Sequence, residues 1–403
     1  MINQLMRQVD DDLLDRFRQE LAKYRDPNQL PGLTIFDHLP AQIQVQDDAL
    51  DMQDLIADTF FDFNVPVEVI GSQIGPRVTQ YYLHPQSMNG KRAKIGAIKA
   101  LDEDLGLALN TSVVIRTRPG KLILEIPNDE FEPINLRSIM ASDPFKKIMA
   151  QGGLPLALGC DTSGEPIAAD LAKMPHLLIA GATGAGKSVC MNALICSLLT
   201  TYSPAQLQLL MIDPKQVELI GYQGIRHLAR PVITEMANAP NALEWAVNQM
   251  DIRYSQLSEV RKRNIKSYNQ WAVANKKEIM PYLVIIIDEV ADLMIQYKEE
   301  VETTVTRLAQ MARAVGIHLI LATQRPTVDV VTGLIKANVP ARIAFAVASG
   351  TDSRVILDQK GAENLLGEGD CLYLPPNASE PIRVQGSFVS DNEIDQLVEH
   401  WSQ

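Results

Sequence analysis

The sequence has little of what marks membrane, secreted or disulfide-built proteins. Its 403 residues include only 4 cysteines and 5% aromatic residues. Apolar stretches such as Tyr282 to Ile287 fall far short of the roughly 18 residues that a membrane helix needs. No basic-then-apolar leader is visible at the start, so we expect no signal peptide, no membrane contact and a cytoplasmic protein. No two cysteines are spaced C-x-x-C, which favours reduced packing residues.

Basic side chains are also in the minority, with 37 against 49 acidic ones and a net charge of −12. This excludes a surface that is basic throughout, but a polyanionic partner stays possible because the charge is uneven. Residues 1–60 carry twelve acids and five bases, whereas residues 301–360 carry seven bases and four acids. A composition of 46% apolar and 21% charged residues is typical of a globular protein and excludes a disordered chain.

Three regions differ in their patterns. Residues 1–60 predict an acidic, helical N-terminal extension, with one amphipathic helix in the first 25 residues and another over 47–60. Residues 61–145 predict a small α+β subdomain with four strands and a helix from Ala93 to Leu109. Residues 146–403 alternate short apolar strands with helices, which indicates an α/β fold with a parallel sheet covered on both faces. One of these helices is predicted from Glu299 to Ala314.

A glycine-rich segment supplies the first chemical signal. It fits G-x-x-x-x-G-K-[ST] at every fixed position, follows an apolar strand and opens a helix. Its backbone N–H groups and the helix N-terminus would surround phosphates, while Lys187 would reach the β and γ phosphates and Ser188 would ligate Mg²⁺. The residues predicted to bind ATP are Gly181, Ala182, Thr183, Gly184, Ala185, Gly186, Lys187, Ser188 and Val189.

Polar side chains follow two further strands. Because ligands bind at the carboxyl ends of parallel strands, Asp288 is expected to hold Mg²⁺ through water and Glu289 to polarise the attacking water. Gln324, at the end of the next strand, is the candidate sensor of the γ phosphate. These parts predict a RecA-like P-loop NTPase core that hydrolyses a nucleotide by positioning and charge neutralisation.

Several segments extend this pattern beyond a generic phosphate loop. They are His176 to Gly181, Met211 to Lys215, Asp288 to Met294, Ala322 to Pro326, Gly333 to Asn338, Asp352 to Arg354 and Ile356 to Gln359, with Gly75 to Thr79 and Pro119 to Asn128 upstream. Through them the chain resembles the FtsK/SpoIIIE family of double-stranded DNA translocases, which is related to the HerA ATPases. The resemblance covers roughly residues 60–400.

The resemblance implies a ring-shaped homo-oligomer, expected to be hexameric, with double-stranded DNA in its hole and ATP between neighbouring subunits. It also implies that one subunit lends an arginine to the next. The matching position is Arg313, with Arg307 and Arg325 as the other candidates. Two loops around residues 325–338 and 348–355 match the loops that grip DNA.

In these loops Arg325, Lys336 and Arg354 match basic positions. Where relatives often carry a lysine, this chain has Gly350, so one phosphate contact is expected to be absent or supplied elsewhere. No membrane helix, long linker or winged-helix specificity domain is visible, so septal anchoring and directional sequence reading are not inferred.

Two alternatives stay open at the level of sequence. One is a HerA-like or packaging-type ring ATPase that acts on DNA with a partner protein. The other is a scaffold that binds nucleotide without hydrolysing it. The presence of both Glu289 and Arg313 argues against the scaffold.

Overall fold

The computed structural model describes residues 30–36, 49–88, 91–118, 120–131 and 133–402. The helix predicted in the first 25 residues lies outside these ranges. A short 3₁₀ helix at Leu33–Phe36 buries Phe36 completely in the core of the large domain. Part of the region predicted as an N-terminal extension therefore packs on the large domain.

A four-stranded antiparallel sheet with strand order β1-β2-β6-β5 forms a small domain. Ile56 and Phe60, from the helix predicted over residues 47–60, are fully buried against this sheet. That helix is confirmed and belongs to the core of the small domain. The elements in chain order are helix Ala49–Asp62, β1 Val67–Ile74, β2 Val78–Pro85, β3 Ser87–Met88, β4 Lys91–Arg92, helices Ile95–Lys99 and Asp102–Ala108, β5 Val114–Arg118 and β6 Lys121–Pro127.

The single helix predicted from Ala93 to Leu109 is wrong. The chain forms two short helices, Ile95–Lys99 and Asp102–Ala108, separated by a turn. The Asp102 carboxylate accepts a hydrogen bond from the Glu103 amide at 3.1 Å. Such a local bond, together with three acidic residues in the first turn, favours a new helix start over a continuous helix.

The large domain is built on a mixed sheet with strand order β11-β12-β13-β10-β14-β15-β16-β8-β9, and β7 pairs with β16. The first five strands of that order are parallel, as the sequence predicted, and the last four pairings are antiparallel. The strands are β7 Ile134–Asn135, β8 Pro155–Asp161, β9 Pro166–Asp170, β10 His176–Ala180, β11 Leu207–Ile212, β12 Tyr282–Ile287, β13 Ile317–Thr323, β14 Ala341–Phe345, β15 Asp370–Leu374 and β16 Ile382–Phe388.

The antiparallel extension was missed by the sequence analysis. Residues 162–165 join β8 to β9, and residues 375–381 join β15 to β16. Connections this short cannot carry a parallel crossover, which needs about a dozen residues or more, so each pair must be antiparallel. The short connections between these strands could have predicted antiparallel pairing, whereas the composition of the strands could not.

Helices cover both faces of the parallel strands. Leu209 and Met211 of β11 face one hydrophobic cluster, and Leu210 and Ile212 face the other. The α-helices of the large domain are Leu136–Met140, Asp143–Ala150, Lys187–Thr201, Ala239–Glu259, Ile265–Ala274, Val290–Gln296, Lys298–Met311, Gly333–Asn338, Gly350–Leu357 and Asp391–Ser402.

The helix predicted from Glu299 to Ala314 ends earlier than expected. The α-helix closes at Met311 and continues as a 3₁₀ turn, Ala312–Val315, which carries Arg313. Gly316 follows with a φ of 69°, the left-handed conformation that ends helices. The tightened last turn leads directly into β13.

All four cysteines are buried and free, which confirms their prediction as packing residues. Among the described residues, no helix is long and apolar enough to cross a membrane.

A buried ion cluster joins the two domains. The Arg383 guanidinium on β16 donates to Glu125 of the small sheet at 2.6 Å and to both carboxylate oxygens of Asp370 on β15 at 3.0 and 2.7 Å. Arg116 also pairs with Glu125, at 3.2 Å. The side chains of Glu125 and Asp370 are each 1% exposed, so their charges depend on Arg383 for compensation.

Candidate active site

The glycine-rich segment forms a loop between β10 and the helix Lys187–Thr201. Gly184 and Gly186 have φ values of 78° and 112°, which only glycine adopts at little cost. A Cβ on Gly186 would lie 2.6 Å from the Gly369 nitrogen, and that same N–H donates to the Ala185 carbonyl at 3.0 Å. The loop is therefore held in its curled shape by its own glycines and by the start of β15.

Lys187 and Asp288 come together where these elements meet. The Lys187 ammonium lies 2.5 Å from Asp288 Oδ1 and 3.0 Å from the Asp288 carbonyl oxygen. Both residues are almost fully buried. Burial raises the pKa of Asp288 above its ordinary value, and the nearby Lys187 charge opposes that rise. The predicted phosphate-binding lysine and metal-binding carboxylate thus share one site.

The residues predicted to hold Mg²⁺ offer hard oxygen ligands. The Ser188 hydroxyl donates to the Glu218 carboxylate, and Asp288 Oδ2 is buried without a partner among the described residues. In the part of the chain that the structure describes, no three His, Cys, Asp or Glu side chains form a cage. This donor set fits Mg²⁺, which takes one or two protein ligands and completes its shell with phosphates and water.

Glu289 lies beside Asp288 and is fully buried. Its Oε1 accepts from the Thr323 hydroxyl at 2.6 Å, and its Oε2 accepts from the Lys215 ammonium at 3.0 Å and from the Gln324 N–H at 3.1 Å. Sequence reasoning missed Lys215 and Thr323 as neighbours of this carboxylate. The available signal was that each stands at or just after the end of a strand beside β12.

Gln324 connects the end of β13 to the phosphate loop. The Thr183 hydroxyl donates to Gln324 Oε1 at 2.8 Å, while the Gln324 backbone binds Glu289. The residue predicted to sense the γ phosphate therefore touches both the loop that would hold that phosphate and the carboxylate that would act next to it.

Arg313 lies away from this group. It is exposed and forms no ion pair among the described residues, whereas the alternative candidate Arg307 pairs with Asp251 at 3.0 Å. Arg313 precedes β13, and the phosphate loop meets the other end of that strand.

The three residues predicted to contact DNA differ in their surroundings. Arg325 and Arg354 are exposed and form no ion pair among the described residues. Lys336 is half-buried, and its ammonium lies 2.6 Å from Asp358 Oδ1. Arg342 pairs with the same carboxylate, at 2.5 Å. Two of the three cations are therefore available to an anionic ligand without breaking an ion pair.

A cavity of about 310 Å³ lies beside the phosphate loop. Its walls come from the loop and the helix that follows it, from the chain before β7, from the residues just before β15, and from β14 and β16. Of its lining, sequence analysis had assigned only the phosphate-loop residues and Val189. The lining residues are Phe131, Pro133, Gly184, Gly186, Val189, Cys190, Phe345, Glu368, Gly369, Gln385, Gly386, Ser387 and Phe388.

Solved structures share this fold. The pCW3 conjugation coupling protein TcpA, in a monomer form with ATPγS, matches 87% of this chain and 99% of its own at 24% identity, with a TM-score of 0.59. The cytoplasmic domain of the type VII secretion ATPase EccC from Thermomonospora curvata covers 62% of this chain and 31% of its own at 24% identity, with a TM-score of 0.56. The chain has the fold of these P-loop ATPases.

Relatives found by sequence share a higher identity with this chain than these solved structures do. Residues 30–128 match the FtsK alpha domain and residues 135–328 match the FtsK/SpoIIIE family. The DNA translocase SpoIIIE of Bacillus subtilis is 48% identical over 85% of this chain, which covers 44% of that protein. The chain spans under half the length of several such relatives. The DNA translocase FtsK of Haemophilus influenzae is 43% identical over 96% of this chain and 77% of its own length. Identity of this degree over nearly the whole chain places it in the FtsK/SpoIIIE family.

Proposed function

We propose that the chain is an ATPase that moves double-stranded DNA. One observation carries the proposal: Lys187 pairs with Asp288 at the carboxyl ends of β10 and β12, next to a phosphate loop, and the buried Glu289 directly follows Asp288. This arrangement supplies the positioning and charge neutralisation that phosphoryl transfer needs. Relatives that carry the name DNA translocase support the choice of substrate.

The phosphate loop would hold ATP in the following way. Loop N–H groups and Lys187 would bind the phosphates, so the Lys187 ammonium would leave Asp288 for the nucleotide. Ser188 and Asp288 would hold Mg²⁺, which would neutralise charge on the β and γ phosphates. The base and ribose would enter the cavity beside Val189, between Phe345 and Phe388.

Hydrolysis would then depend on Glu289 and Gln324. Glu289 would polarise the attacking water, and Gln324, which contacts Thr183, would respond to the γ phosphate. Arg313 would complete the site of a neighbouring copy in a ring, expected to be hexameric, because it is exposed and far from its own phosphate loop. Arg325 and Arg354, with Lys336, would contact the phosphates of the duplex without reading its sequence.

The decisive experiment measures ATP hydrolysis without DNA, with single-stranded DNA and with long duplex DNA, each at two salt concentrations. We expect strong stimulation by the duplex, weakened as salt rises because condensed counterions are released from DNA on binding. Lys187→Ala should abolish turnover, while the exposed Lys277→Ala serves as the matched control. Equal rates with and without duplex would contradict the proposal.

A further inference from the structure

Both carboxylate oxygens of Glu289 accept hydrogen bonds from protein groups in this structure. The Thr323 hydroxyl donates to Oε1, the Lys215 ammonium donates to Oε2, and the Gln324 N–H lies 3.1 Å from Oε2 and 3.3 Å from Oε1. Glu289 has no solvent exposure. A general base must reach the proton that it accepts directly or through one water. The observed arrangement is therefore a resting one, and some contact to Glu289 must break before hydrolysis.

The Thr323 hydroxyl links Glu289 to the exposed segment that follows β13. The hydroxyl donates to Glu289 Oε1 at 2.6 Å and accepts from the Arg325 N–H at 3.0 Å. One hydroxyl can do both, since it has one donor and two acceptor positions. Two hydrogen bonds thus connect the buried carboxylate to the backbone of an exposed arginine.

Of the two ends of this connection, Thr323 is held in place by the sheet and Arg325 is exposed. Thr323 itself is fully buried and fixed in β13, where it pairs with Ala180 of β10. The chain from Arg325 to Asp329 is largely exposed, and Val330 and Val331 return to the core at 4% and 2% exposure. A force on the exposed segment would therefore act on the Arg325 N–H and leave the strand in place.

We propose that the Thr323 hydroxyl restrains Glu289 until duplex DNA displaces the segment that begins at Arg325. The inference rests on the proposed function, an ATPase stimulated by duplex DNA, and adds a mechanism by which the duplex raises the rate of ATP hydrolysis. A phosphate drawn to the Arg325 side chain moves its backbone and withdraws the N–H from Thr323. The Thr323 hydroxyl, no longer held by that N–H, then turns away from Glu289. Oε1 keeps only its longer contact to the Gln324 N–H, at 3.3 Å, and becomes available to water. Thr323 acts as a positioning residue in this scheme.

The test compares Thr323→Val, which removes the hydroxyl at constant shape, with Thr323→Ser, which keeps it. Thr201→Val is the matched control, because Thr201 is buried and its hydroxyl bonds only the Ser197 carbonyl among the described residues. For Thr323→Val we expect DNA-free kcat to rise about tenfold to 100-fold, the scale of one lost hydrogen bond to an ionised group, with KM unchanged. Stimulation by duplex should shrink in proportion, and Thr323→Ser should restore it.

The outcomes separate this inference from the function on which it rests. Wild-type protein that duplex fails to stimulate would refute the proposed function, while the DNA-free rate of Thr323→Val would still report on the restraint. An unchanged DNA-free rate would overturn the restraint, and so would an equal loss of rate with and without duplex. Amide hydrogen exchange of the wild-type Arg325 N–H gives a second measure that needs no variant. Its protection should fall when duplex binds, and constant protection would also overturn the inference.

Discussion

Arg313 and Gln324 lie at opposite ends of the same strand. The seven-residue strand β13 separates them, which corresponds to more than about 20 Å along the sheet. Gln324 touches the phosphate loop of its own chain through Thr183. Arg313 therefore lies too far along the strand to contact a nucleotide in that loop, and in the proposed ring the nucleotide that it contacts would belong to another copy.

Mixing variant and wild-type subunits tests this geometry. Arg313→Ala subunits titrated into wild type should reduce ATP turnover more steeply than dilution, because each variant disables the site of its neighbour. The expected loss for a uniform Arg313→Ala ring is about 10³-fold or more, the scale of an arginine finger. The exposed Arg263→Ala is the control. A linear loss would show that Arg313 does not act between subunits.

Replacing Glu289 by glutamine should separate binding from hydrolysis. Glu289→Gln keeps the size of the side chain but cannot take a proton, so turnover should fall about 10²- to 10⁴-fold while nucleotide still binds. Turnover and nucleotide affinity are measured in parallel, with the exposed Glu278→Gln as control. Hydrolysis at the wild-type rate would assign the polarising role to another group.

The ion pairs of the basic loops predict unequal effects on DNA binding. Arg354→Ala removes a cation that has no ion pair among the described residues, so affinity should fall for all duplex sequences alike, with a shallower dependence on salt. Lys336→Ala should have a smaller effect, because Asp358 already neutralises that lysine at 2.6 Å. Titrations at several salt concentrations measure both slopes. A larger effect for Lys336 would show that this pair opens in the complex.

The inter-domain ion cluster predicts a large stability effect. Arg383→Met should destabilise the protein by about 3–5 kcal/mol, because Glu125 and Asp370 would stay buried without their main partner. Denaturant midpoints measure this, with Arg263→Met as control. Restoration by the further change Asp370→Asn would attribute the loss to uncompensated charge, whereas no restoration would point to packing.

Three buried histidines predict acid sensitivity. Burial lowers the pKa of His176 to about 3 and the pKa values of His227 and His318 to about 4. The unfolded chain takes up these protons near pH 6.5 but the folded chain does not. Stability should therefore fall as the pH drops from about 6.5 toward 4, by about 1.4 kcal/mol per histidine and pH unit.

His318→Asn isolates one of these contributions. The asparagine amide can still donate to the Pro175 carbonyl, which His318 Nδ1 contacts at 2.9 Å. The variant should lose less stability than wild type between pH 7.5 and pH 5. An identical pH dependence would show that His318 takes no part in acid unfolding.

The parallel strands of the large domain and the residues of the candidate site could be predicted from the sequence, because both have strong local sequence patterns. Short apolar runs indicated buried strands, and the phosphate loop was fixed by residue types that its backbone demands, such as Gly184 and Gly186. Asp288 and Glu289 followed from their place at the end of β12. Asp288 meets Lys187 because β10 and β12 run parallel on either side of β13, so their carboxyl ends lie at the same edge of the sheet.

Other contacts could not be predicted because they join segments far apart in sequence. Arg383 meets Glu125 across 258 positions, and Gly369 closes against the phosphate loop. No periodicity reports such pairs. The contact between Thr323 and Glu289 is shorter in range, but its significance depends on which rotamer each side chain adopts, and the sequence does not encode that locally.

The β15–β16 hairpin has a mechanical consequence. Gly369, the residue before β15, donates a hydrogen bond to the phosphate loop, and Arg383 of β16 pairs with Glu125 of the small domain. In the part of the chain that the structure describes, these contacts connect the site where ATP would be cleaved to the small sheet. In the proposed ring each copy should then rotate as one rigid body. The flexibility needed for a power stroke would lie at the interfaces between copies.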